Sequence, residues 1–180
     1  MASIINLEKD LNKLRESKAG TYLLLTGKLY SARDAAHKKL KEMFDKNEKI
    51  PEFLKNSIIY YMGPTPTRPG YQIGSCGPTS SYRIDSFLEL TLKIGIAATL
   101  GKGEREDFTK DLIKKYKAPY LITIGGASAY LAECVVTSRV ITFEELGAEA
   151  ITELVVKDFP VIVAIDIYGN DIFSKNLDIA

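Results

Sequence analysis

Short apolar runs alternate along this chain with longer amphipathic segments, and that alternation constrains its fold more than any other feature. Strands separated by helix-length segments need crossover connections, so the fold class is α/β. A short helix is expected over residues 7–14, with apolar positions at 7, 11 and 14 and an end near Gly20, followed by a strand at 21–26. Ser31 then reads as an N-cap with Asp34 three residues on, opening a helix that runs through Phe44. Residues 58–62 read as a second strand. After it comes a segment, 63–78, with four Pro and four Gly, a composition and length that suit a functional loop. A helix is expected at 79–92, a strand at 94–100, a helix at 104–116 and a strand at 120–124. Gly125-Gly126 opens a further helix through Ala132, and residues 135–143, 151–156 and 160–167 are rich in β-branched residues and read as strands. No repeat or linker divides the 180 residues, so 1–180 is expected to form a single domain.

Composition narrows the function. Lys and Arg number 24 against 23 Asp and Glu, a net charge of +1, which argues against a dedicated nucleic-acid binder or a protein for acidic membrane surfaces. Any bound anion must be held by a few locally placed cations. Two cysteines, Cys76 and Cys134, are too few for a disulfide scaffold, a Cys-based zinc site or an iron–sulfur cluster held by three or four thiolates, so no metal site is expected on this chain. Residues 1–10 lack a basic-then-apolar signal pattern. The apolar stretch 159–168 is interrupted by Asp166 and is too short to span a bilayer, so a cytoplasmic location is expected.

Three motifs offer chemistry. In Gly27-Lys28-Leu29-Tyr30-Ser31-Ala32-Arg33-Asp34-Ala35-Ala36-His37-Lys38, Arg33 falls beside a helix start with its free N–H groups, and His37 lies four residues on. An anion site and ordinary capping both account for this run. In Gly77-Pro78-Thr79-Ser80-Ser81-Tyr82-Arg83, Thr79 and Arg83 share a face if the helix begins at Pro78. Capping by the hydroxyls is the plain alternative, and Cys76 just before them is either a thiol of some reactivity or a small packed residue. Gly101-Lys102-Gly103 lacks the features of a phosphate-binding P-loop, yet a lysine between glycines at a strand end can reach an anion; a solvated turn is the other reading. Together Arg33, Arg83 and Lys102, with Thr79 among them, suit a small dicarboxylate, because planar guanidinium groups bind carboxylates through paired hydrogen bonds.

These motifs, with Tyr61-Met62-Gly63-Pro64, Phe159-Pro160, Asp166 and Gly169-Asn170, resemble the beta subunit of class I fumarate hydratase and L(+)-tartrate dehydratase, a module that also forms the C-terminal half of single-chain class I fumarases. The resemblance runs in order from about Leu7 to Asn170. It implies a swivelling β/β/α domain with a mixed sheet and flanking helices. It also implies a [4Fe–4S] cluster carried by a partner alpha subunit in an α2β2-type heteromer, with none bound by this chain alone. Matched motif by motif, Thr79 would be the catalytic base, Arg33, Arg83 and Lys102 would bind the substrate carboxylates, and His37 and Asp34 would support them. The implied activity is the reversible hydration of fumarate to (S)-malate. Tartrate dehydration to oxaloacetate, or a non-catalytic anion-binding module of the same fold, are the rivals. Two departures touch fine substrate preference: Cys76 stands where the family has a small Ala, and Ser80 where it has a second Thr.

Overall fold

A computed structural model describes residues 3–67 and 69–174. Residues 1, 2, 68 and 175–180, which the expected domain and the N-terminal reading include, lie outside the described residues. The strands are β1 (Ser3–Asn6), β2 (Tyr22–Ser31), β3 (Ile58–Tyr60), β4 (Ala98–Gly101), β5 (Tyr120–Ile122), β6 (Val135–Thr142) and β7 (Ile151–Ile165). The helices are α1 (Leu11–Glu16), α2 (Asp34–Asp45), α3 (Asp85–Ile94), α4 (Phe108–Tyr116) and α5 (Ser128–Glu133).

The sheet is mixed and closes on itself. Strands β2, β3, β4 and β5 pair in parallel, β7 pairs antiparallel with β5, and β7 returns to β2, completing a barrel-like ring. β1 and β6 extend the ring as edge strands on β2 and β7. The parallel steps require crossovers, and α2, α3 and α4 supply them, packing in series on the outside. Because the ring strands run parallel from β2 to β5, their C-terminal ends share one rim, the place where α/β sheets bind ligands.

Alternation along each strand sorts side chains between two cores. Leu29, Ile58 and Tyr60 join Leu100, Leu121, Leu154, Phe159 and Val163 in the core enclosed by the ring. Their neighbours Tyr30, Ile59 and Tyr61 face the other way, against Ala36, Leu40 and Ile84 of the helical layer. Tyr61 thereby stands beneath the rim on the helix side.

Several expected boundaries move, each for a physical reason. Residues 3–6 form a strand because they pair with Leu23–Thr26, so the first helix begins at Leu11 instead of Leu7. Ser31 does not cap α2. It ends β2, held between Tyr60 of β3 and Thr152 of β7, and Arg33 takes the N-cap position with no side-chain cap of its own. The expected strands 151–156 and 160–167 are one strand. The irregularity that would have separated them is absorbed by a bulge in β7, where Lys157 and Asp158 stand opposite Thr26 of β2; Thr26 Oγ1 accepts the Asp158 N–H at 3.1 Å, and Asp158 has a positive φ of 51°.

Gly101 ends β4 against the segment that carries Thr79. A Cβ here would overlap Ser81 Oγ and lie 3.0 Å from Tyr61 Cδ2 and 3.3 Å from the carbonyl oxygen of Thr79. Only glycine lets the two segments approach this closely. Gly101→Ala should lower stability by about 1–3 kcal/mol through overpacking. The expected readout is a lower urea midpoint at unchanged slope, and an unchanged midpoint would show that the contact yields freely.

Candidate functional site at the strand ends

Arg33 leaves the end of β2 in extended conformation and caps α2. Its guanidinium lies against Gly63, where a Cβ would sit 2.8 Å from Arg33 Cδ and 3.1 Å from Nη1, so the Gly63-Pro64 turn after β3 makes room for the side chain. Two carboxylates hold it, Asp34 at 3.9 Å and Glu149 at 3.7 Å. Glu149 also accepts the Ala35 N–H at 2.8 Å through its other oxygen, capping α2 from the 3-10 helix Glu144–Glu149. The helix start that the sequence offered to an outside anion thus already carries a carboxylate from its own chain.

Arg83 reaches the same place from the 3-10 turn Ser81–Ile84. Its Nη2 donates to both oxygens of Asp34, at 3.3 and 3.4 Å. Asp34 therefore stands between two guanidinium groups, each partly open to solvent. Thr79 lies before the turn in an extended segment, so the expected shared helix face with Arg83 does not exist. α3 starts only at Asp85. The cause is pairing: Thr79 N–H donates to the carbonyl of Tyr61 at 2.7 Å, Ser80 bridges Lys102, and Ser81 N–H donates to the Lys102 carbonyl at 3.0 Å, which uses the backbone groups a helix would need. The same pairing places Thr79 beside the Lys102 turn at the end of β4. Lys102 is exposed, and its side chain passes Gly125 after β5.

The structure thus gathers Arg33, Asp34 and Arg83 in one cluster and Thr79 with Lys102 along one seam, both on the rim. His37 sits behind them, fully buried. The carbonyl of Arg33 lies 2.8 Å from His37 Nδ1 and can only accept, so Nδ1 carries the proton. Nε2 has no hydrogen-bond partner among the described residues, and the ring meets Tyr61 edge-on, with centroids 5.6 Å apart. Burial drives the His37 pKa down to about 4, against weaker opposing effects of that backbone bond and of Asp34. His37 is a neutral prop for Arg33 and carries no charge to the rim at neutral pH.

Sequence reasoning missed Glu149, Asp85, Arg105, Ser81 and Tyr120. Arg105 is buried with Asp85, its Nε 2.6 Å from Oδ1, and its Nη1 donates to Thr99 Oγ1 at 3.1 Å. Tyr120 reaches Ser81 and the Gly103 carbonyl. These contacts span long stretches of chain, and no local pattern announces them.

The residues do not fit an iron–sulfur cluster as ligands. Among the described residues no group of three or more His, Cys, Asp or Glu side chains is placed to hold a metal ion. Cys76 is wholly buried in the ring core, where burial pushes its thiol up to about 12, and burial also raises the thiol of Cys134. Cys76 is a packed residue. Among the described residues no helix is long and apolar enough to cross a membrane. A cavity of about 450 Å³ opens between the Pro/Gly loop and α5, lined by Thr65, Tyr71, Ile73, Ala129 and Val135 among others. None of the residues singled out for chemistry lines it.

Known proteins resemble this chain over nearly its whole length. The family model described as fumarase C-terminus matches residues 2–176. Fumarate hydratase 2 of Leishmania major is 41% identical over 179 residues, covering 96% of this chain and 32% of that protein. The aerobic class I fumarate hydratase of Escherichia coli K12 is 39% identical over 171 residues, covering 94% of this chain and 31% of that protein. A Methanocaldococcus jannaschii protein bearing the name of an L(+)-tartrate dehydratase beta subunit is 40% identical over 174 residues, covering 93% of this chain and 88% of that protein. The chain thus spans about a third of the fumarate hydratases it matches and most of the tartrate dehydratase subunit.

Two measurements test the site's framework. The unfolded chain binds a proton at His37 below about pH 6.5 and the folded chain only below about 4, so stability is full above 6.5 and falls as pH drops toward 4. The gap corresponds to about 3 kcal/mol. His37→Gln should flatten the stability profile in that window, and an unchanged profile would contradict a buried neutral imidazole. Glu149→Ala should cost about 1 kcal/mol by uncapping α2, read as a fall in Tm.

Proposed function

Because the chain belongs to the fumarase C-terminus family, we propose that it is the cluster-free catalytic module of a class I hydro-lyase that interconverts fumarate and (S)-malate. The observation that carries this reading is the convergence on one rim of two guanidinium groups sharing Asp34 with a hydroxyl, Thr79, held beside Lys102. A dicarboxylate needs two separated cationic ends, and a proton beside a carboxylate needs a group placed to take it.

On this reading, residues 1–180 act as one module, closing as a swivelling domain over a partner alpha subunit or a preceding domain that carries the [4Fe–4S] cluster. Arg33 and Arg83 bind the carboxylates, exchanging part of their contact with Asp34 and Glu149 for the substrate. Lys102 neutralises the charge that grows on the carboxylate next to the carbon losing its proton. Thr79 moves that proton. A hydroxyl is a weak base, and neighbouring cations lower its cost of ionisation, a role this reading gives to Lys102 and Arg83. His37 holds Arg33 from behind through its carbonyl, and Asp34 spaces the two guanidinium groups. The malate hydroxyl leaves as water in one direction and is added in the other. L(+)-tartrate is the second reading, favoured by the 88% of the tartrate dehydratase subunit that the chain covers.

An anaerobic assay of the chain alone, and with a cluster-bearing partner, on fumarate, malate and L(+)-tartrate separates these readings. Turnover is expected only in the assembly. In that assembly Thr79→Ala should lower kcat by about a hundredfold or more with a small change in KM, and Arg83→Lys should cost at least tenfold in kcat/KM, because an ammonium cannot reproduce the paired hydrogen bonds. Appreciable turnover by the isolated, metal-free chain would contradict the divided site, and near-normal kcat in Thr79→Ala would remove the proton-transfer role.

A further inference from the structure

Beneath the seam that joins Thr79 to Lys102 lies a buried polar contact that the catalytic reading does not use. Tyr120 of β5 has no solvent exposure, and its hydroxyl lies 2.8 Å from Ser81 Oγ and 2.9 Å from the carbonyl oxygen of Gly103. A phenol has one proton to give, and a carbonyl can only accept. Tyr120 therefore donates to Gly103, and Ser81, equally buried, donates its own hydroxyl proton to Tyr120. Ser81 lies two residues from both Thr79 and Arg83, and Gly103 follows Lys102. One phenol thus ties the segment bearing the hydroxyl to the turn bearing the lysine.

The phenol ring is itself held. The guanidinium carbon of Arg105 sits 4.9 Å from its centroid and 5.5 Å from that of Tyr61. Arg105 is anchored to Asp85, whose second oxygen accepts the Glu106 N–H at 2.9 Å, and to Thr99 of β4. Water cannot replace either bond of the Tyr120 hydroxyl without opening this packing.

We propose that Tyr120 is a positioning residue that fixes Thr79 relative to Lys102 through its paired bonds to Ser81 and Gly103. The inference rests on the catalytic reading of Thr79 and Lys102. Arg33 is held independently, by Asp34 and Glu149, so loss of the Tyr120 hydroxyl leaves carboxylate capture largely intact and displaces the proton-transfer group. A displacement of about 1 Å can cost a hundredfold in rate.

The test uses the assembled, cluster-loaded enzyme, with kcat expressed per site that binds the dicarboxylate substrate. Tyr120→Phe is expected to lower kcat by about tenfold to a hundredfold with KM within about threefold of the parent. Ser81→Ala should act in the same direction, and it leaves the ring in place should Tyr120→Phe fail to fold. The double variant should be no worse than the more impaired single, because both changes break one unit. Thr79→Ala serves as the reference. If it is severely impaired while Tyr120→Phe and Ser81→Ala keep kcat within about twofold of the parent, the positioning role is overturned and the reading of Thr79 stands. A double-variant loss equal to the product of the single losses also overturns it. If Thr79→Ala itself keeps normal kcat, the catalytic reading fails, and the positioning role built on it fails with it.

Discussion

One carboxylate between two guanidinium groups is the interaction on which the rim depends. Arg33 and Arg83 come from different crossovers, and without a counter-charge their repulsion would push the two segments apart. Asp34 lies 3.9 Å from one and 3.3 Å from the other, which turns the repulsion into a bridge. Exposed ion pairs contribute little to stability, so the bridge serves geometry more than folding free energy. Partial exposure also leaves the guanidinium donors able to exchange partners, which a deeply buried pair could not do without a large desolvation cost. Arg105 and Asp85 show that other arrangement: both are buried, Arg105 donates through Nε to Asp85 and through Nη1 to Thr99, and the pair lies under the rim where rigidity is useful.

The ring explains why these groups meet. Four parallel strands deliver their C-terminal ends to one edge, and each end carries a different element: Arg33 after β2, the Tyr61 to Gly63 turn after β3, Lys102 after β4 and Gly125 after β5. Antiparallel β7 closes the ring with no crossover at that step. Glycine decides how near the ends approach, at Gly63 for the Arg33 side chain and at Gly101 for the Ser81 segment.

Much of this was legible in the sequence, and the remainder failed for identifiable reasons. The α/β alternation and the placement of Arg33 and Lys102 at strand ends follow from local patterns, which report burial and chain reversal. Ser31 misled because a serine with an acid three residues on looks the same whether it caps a helix or ends a strand; only the pairing with Tyr60 and Thr152 distinguishes them. Thr79 misled because Pro78 before it suits a helix entry, whereas its backbone pairs with Tyr61 and Ser80 bridges Lys102. Glu149, 114 residues from Ala35, and Tyr120, 39 from Ser81, act across separations that no window along the chain can register.

His37 shows how the charge at the rim is kept low enough to be useful. A protonated imidazole there would add a buried positive charge near Arg105 and behind Arg33, and would raise the repulsion that Asp34 has to offset. Burial removes that charge, and the remaining Nδ1–H holds the Arg33 carbonyl, so the same ring both props the cation and stays neutral beside it. Arg33, Arg83 and Lys102 set against Asp34 and Glu149 leave these five groups with one net positive charge. A dicarboxylate brings two negative charges, so on the proposed reading this half of the site captures the substrate without neutralising it. On that reading the remaining compensation falls to a surface that closes over the rim, and a site divided in this way would be fully charge-matched only when its two halves meet.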